Sequence, residues 1–180
     1  LGGLLLGAIG VPASLGTADV WGHGTSVSGV AVFGDFREQL ARGVLQAGAK
    51  VCVAKVVDDT GNFEDRRLVP SLMREAIQRL SQDFGCRVFV CALADRRSPY
   101  AGDKVGAWAA TLDELARELD VLIVVAAGNR MPRSGDVVEE GVTQYPDYLL
   151  ETSNRIFEPA AALNVLSVGA LSHGPGIDAE

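Results

Sequence analysis

The chain has 180 residues, enough for one domain with a sizeable core. Its residues are 48% hydrophobic and 22% charged, an ordinary globular mix. A net charge of −7 excludes the broad basic face that a nucleic-acid binder needs.

The opening run, "LGGLLLGAIGV", is apolar but too short to span a bilayer, and no Lys or Arg precedes it. No membrane association is expected. A helix is predicted over 22–33, starting at the Gly-His-Gly of "DVWGHGTSVSGVAVFGD". Val27, Val30 and Ala31 share one face, with small Ser26, Ser28 and Gly29 between them, so this helix is expected to be buried. A second helix is predicted over 36–47, amphipathic through Phe36, Leu40 and Val44 and stopped by Gly48.

"KVCVAKVV" (50–57) reads as a strand closed by the turn cluster "DDTGN". Residues 69–84 repeat apolar side chains at helical spacing and end at Gly85. "CRVFVCALA" (86–94) is a second strand, and "GAWAATLDELAREL" (106–119) a third amphipathic helix. "DVLIVVAAGN" (120–129) is a third strand. "NVLSVGAL" (164–171) is a fourth, after a long acidic loop over 133–154 that is expected to rim a cleft, meet a partner or lie in solvent.

Near-continuous apolar strands alternating with helices predict an α/β fold, a parallel sheet covered by helices on both faces. The chain shows no linker or repeat, so one domain over 1–180 is expected. Ligands of such sheets bind beyond the carboxyl ends of the strands. The unusual residues fall there, in "ALADRRSPY" and "AAGN".

Cys52, Cys86 and Cys91 lie in or beside apolar runs and form no C-x-x-C pair. They are expected to be buried, reduced thiols, in keeping with a cytoplasmic location. With only His23 and His173 as histidines, no zinc spacing exists, and no metal or other cofactor is expected. No phosphate-binding glycine loop follows a strand.

Five segments, in order, resemble the subtilase family of serine proteases. "GHGTSVSG" is similar to the segment around the family's catalytic histidine, H-G-T-x-x-x-G. "AKVCVAKVVDDTGN" resembles the strand and turn that follow. "RVFVCALA" resembles the substrate-pairing strand, "LIVVAAGN" the strand ending in the oxyanion asparagine, and "NVLSVGAL" the next strand. "HGTSVSGVAVFGD" looks closest to bacterial intracellular subtilases.

The resemblance implies a three-layer αβα fold and peptide-bond hydrolysis by a Ser-His-Asp triad. His23 would take the proton from a serine hydroxyl and return it to the leaving amine. Asn129 would donate to the oxyanion. In subtilisin, the source of that estimate, such a donor is worth about 3 kcal/mol. Ala92, Leu93 and Ala94 would bind substrate backbone by strand addition. Ala126, Ala127 and Gly128 would wall the first specificity pocket. A peptide or protein would be the substrate, and a partner ATPase is implied by the bacterial relatives. One departure stands out: the family has Ser-Leu-Gly where this chain has Ala92-Leu93-Ala94.

No residue matches the triad's aspartate or serine. Asp19 precedes His23 too closely and is expected to be a surface or capping residue. Asp59 follows a strand in a D-T-G turn, but comes after the histidine and reads as the family's own turn there. Ser26 and Ser28 lie inside the histidine's helix. The chain is thus expected to be the central part of a subtilase catalytic domain, incomplete at both ends and inactive alone. Two other readings compete: a non-catalytic subtilase-like module that binds extended peptides, and an unrelated doubly wound α/β domain.

Overall fold

A computed structural model describes residues 2–129 and 146–170. The expected loop over 133–154 is therefore described only from 146 onward, and Leu171 of the fourth strand lies outside the described residues. The chain forms two compact units. One comprises Leu1–Phe89 with Arg117–Val121; the other comprises Val90–Ala116 with Leu122–Glu180.

In the first unit, β1 (Leu5–Gly10) lies parallel to β2 (Val51–Lys55), with Gly7 opposite Cys52 and Gly10 opposite Lys55. Sequence reading did not anticipate β1, because glycines at 7 and 10 weaken a strand signal. The structure supplies the reason for the first: a side chain at position 7 would collide with the ring of Phe84. Between the two strands run α1 (His23–Phe33) and α2 (Phe36–Ala41).

Helix α2 is shorter than the expected 36–47. Gly43 turns to φ 66° and closes on the Leu40 carbonyl at 3.0 Å, while the Gln39 side chain accepts from Gln46 N at 2.6 Å. Helix α1 is also less buried than expected. Only Ser28 and Val32 are buried, and Val30 is 58% exposed. Val27 and Gly29 are half-buried, and the ring of Phe36 lies beside Gly29.

Helix α3 (Val69–Phe84) behaves as its spacing predicts. It buries Leu72, Met73, Ala76, Ile77 and Leu80 and ends at Gly85. Its outer side carries ion pairs such as Arg67–Glu75 at 2.7 Å and Arg74–Glu118 at 3.3 Å.

Three strands form a sheet in the order β3 (Val88–Cys91), β5 (Leu122–Ala126), β7 (Leu166–Val168), of which β5, β7 and the carboxyl half of β3 belong to the second unit. β5 and β7 are parallel, with Val124, Val125 and Ala126 opposite Leu166, Ser167 and Val168. Phe89, Cys91, Ile123 and Val125 are buried, while Val88, Val90, Leu122, Leu166 and Val168 are exposed. Val124 and Ala126 are half-buried.

Helix α4 (Ala107–Leu119) buries Trp108, Ala109, Leu112, Leu115 and Ala116. An antiparallel pair, β4 (Asp95–Pro99) with β6 (Phe157–Glu158), completes the unit. The predicted strand over 86–94 thus stops at Cys91. The chain leaves the ladder there, and Asp95 opens a new strand opposite Glu158. The fold class is α/β with parallel strands and helices, consistent with the subtilase αβα fold.

Candidate active site

His23 is the first residue of α1 and is exposed. The preceding Gly22 is left-handed, with φ 74°. The first turn of any helix has N–H groups without intrahelical partners. Asp19 supplies two of those partners: its carboxylate accepts from Gly22 N at 2.9 Å and from Thr25 N at 2.7 Å. It also accepts from the Thr25 hydroxyl at 2.7 Å. The Thr25 hydroxyl, then its backbone N–H, hold the Asp19 carboxyl below its ordinary value. Asp19 is therefore the cap that its spacing suggested.

The loop ahead of His23 is gripped from a second side. β2 delivers Lys55 at its carboxyl end, and Lys55 Nζ donates to the Ala18 carbonyl at 2.9 Å. The same ammonium pairs with Asp59, while the Asp59 carbonyl accepts from Trp21 Nε1 at 2.6 Å. Asp58 builds the intervening turn, accepting from Thr60 N at 2.8 Å, Thr60 Oγ1 at 2.7 Å and Asn62 N at 2.9 Å. The "DDTGN" acids thus have separate tasks, one folding the turn and one holding Lys55. Sequence reading identified the turn but missed the part played by Lys55 and Trp21. Their only signal was a cation at a strand end and an indole beside the histidine.

The remaining candidates all lie in the second unit. Ala92, Leu93 and Ala94 are half-buried and follow β3 without continuing it. Ala126 closes β5 opposite Val168. Ala127 N donates to the Val168 carbonyl at 2.9 Å, and the Ala127 carbonyl accepts from Phe157 N at 3.0 Å. Gly128 has φ 106°, and the Phe157 ring fills the space a side chain there would need. Asn129 follows, exposed, beyond the carboxyl end of β5. Glu158, next to Phe157, reaches α4 and accepts from Trp108 N at 2.8 Å and Ala109 N at 3.1 Å. No sequence signal marked Phe157 or Glu158, because their partners lie some thirty to fifty residues away.

An open hollow of about 700 Å³ lies at the far end of α1, between Phe33, Asp35, Gln39 and Ala47. His23 does not line it. No described helix is long and apolar enough to cross a membrane.

An uncharacterized protein of Sinorhizobium fredii, y4bN, is 61% identical to this chain over 112 residues. The match covers 62% of this chain and 26% of that protein, so the chain spans about a quarter of the relative's length. The model of the subtilase family matches residues 15–176, a span that runs from the capped loop before His23 past β7. This chain belongs to the subtilase family.

Proposed function

We propose that this chain contributes the general base and the oxyanion donor of a serine endopeptidase. The observation that carries the reading is the capped, clamped loop that presents an exposed His23, in a chain of subtilase membership. His23 takes the proton of a serine hydroxyl as that oxygen attacks the scissile carbonyl, then gives it to the leaving amine. Asn129 donates its side-chain N–H to the oxyanion. Ala92–Ala94 pair with substrate backbone, and Ala126–Gly128 line the pocket for the adjoining side chain. Serine and aspartate come from outside these 180 residues, so the chain alone is inactive.

Fluorophosphonate labelling of the full-length protein, read by intact mass beside His23→Ala, tests this. One adduct, abolished in the variant, supports the reading. The absence of an adduct from the folded full-length protein points to the alternative, a non-catalytic module that binds extended peptides.

A further inference from the structure

We propose that Cys52 and Cys86 form a redox pair that a small-molecule disulfide closes into an intramolecular disulfide. The placement follows from the first unit alone and does not depend on the peptidase reading. In a parallel pair, residues in register project from the same sheet face. Gly7 is in register with Cys52. Any side chain at position 7 would meet the Phe84 ring, so that face is the one occupied by the carboxyl end of α3. Cys52 therefore points toward the end of α3.

Cys86 arrives at the same place by helix termination. Gly85 takes φ 69° and ψ 23°, Gly85 N bonds the Ser81 carbonyl at 3.0 Å, and Cys86 N bonds the Leu80 carbonyl at 3.2 Å. This closure turns the chain back across the helix end. Both cysteines therefore lie at the carboxyl end of α3. Both residues are half-buried and free, whereas Cys91 is buried.

The step balances with glutathione disulfide as oxidant. One protein thiol loses its proton and attacks a glutathione sulfur; the glutathione S–S bond breaks, and one glutathione thiolate leaves and is protonated. The second protein thiol, deprotonated in turn, attacks the protein sulfur of the mixed disulfide and expels the second glutathione. Two protein thiols lose two electrons, the oxidant becomes two thiols, and both protons end on glutathione. Burial, then the contact with Cys52, pushes the Cys86 thiol up to about 11. Closure therefore accelerates as pH rises from neutral toward that value. The cross-link would tie β2, the strand that delivers Lys55 to the His23 loop, to the turn after α3.

The test treats native protein containing this chain with glutathione disulfide at neutral and mildly alkaline pH. Remaining thiols are alkylated and the digest is mapped by mass. The expected product has lost two hydrogens and yields one cross-linked peptide joining Cys52 and Cys86, formed faster at the higher pH. Cys52→Ala and Cys86→Ala each abolish it. Wild-type mapping decides the matter even where a variant fails to fold. Separate alkylation of both cysteines, a stable glutathione adduct without closure, or a cross-link through Cys91 would overturn the proposal.

Discussion

The ring of Phe157 stands in the space that any side chain at position 128 would occupy, and Gly128 itself has φ 106°. Phe157 N also bonds the Ala127 carbonyl at 3.0 Å, so ring and backbone fix the segment leading to Asn129 together. Gly128→Ala should therefore destabilise the protein by about 3 kcal/mol, from a strained backbone and an overpacked contact together. Denaturant unfolding of the single variants and the double variant separates the two. With Phe157→Ala already present, the penalty for alanine at 128 should shrink to the backbone part.

Asp19 satisfies two backbone donors at the start of α1. Asp19→Ala should cost about 1 kcal/mol, the usual loss for a removed helix cap. Its carboxyl is held below the ordinary 3.8 in the folded protein. The contribution is thus complete above that ordinary value and is lost as pH falls through the lower, folded one. Acid unfolding followed by circular dichroism should show this component in the native protein and not in Asp19→Ala.

Glu158 caps α4 from fifty residues away through a single oxygen, Oε1. Glu158→Ala leaves both N–H groups without that acceptor and should cost about 2 kcal/mol, since bonds to charged groups exceed the neutral average. Glu158→Gln retains an acceptor oxygen and should lose clearly less. Equal losses for the two variants, measured by thermal unfolding, would remove the capping explanation.

Lys55 holds the His23 loop through the Ala18 carbonyl and Asp59, with its side chain only 14% exposed. Lys55→Met keeps much of the apolar stem and removes both contacts. In the full-length protein it should slow fluorophosphonate labelling about tenfold, a loss of roughly 1.4 kcal/mol in the transition state. Unchanged labelling would mean that the loop keeps its position without the clamp.

Much of this architecture was legible from local pattern. The spacing of Leu72, Met73, Ala76, Ile77 and Leu80 places α3 to the residue, because a helix writes its buried face into a repeating interval. The run around Ile123 and Val125 identifies β5. Asp19 was recognisable as a cap because capping is a matter of a few residues' spacing. Strand β1 was not legible, since Gly7 obeys a requirement set by Phe84, far along the chain. The early stop of α2 was missed because Gln39 satisfies Gln46 by a side-chain bond that propensity does not encode.

The sequence by itself determined the family, the helices α1, α3 and α4 and the strands β2, β3, β5 and β7, and it named the candidates His23 and Asn129. Those follow from motifs and periodicities read over short windows. Only the tertiary structure decided what holds each candidate in place: Lys55 and Trp21 for the histidine loop, Phe157 for the segment before the asparagine, Glu158 for α4. It alone also placed Cys52 and Cys86 together at the carboxyl end of α3. These partners are distant in sequence, and strand register, helix ends and close packing select them, none of which leaves a local trace.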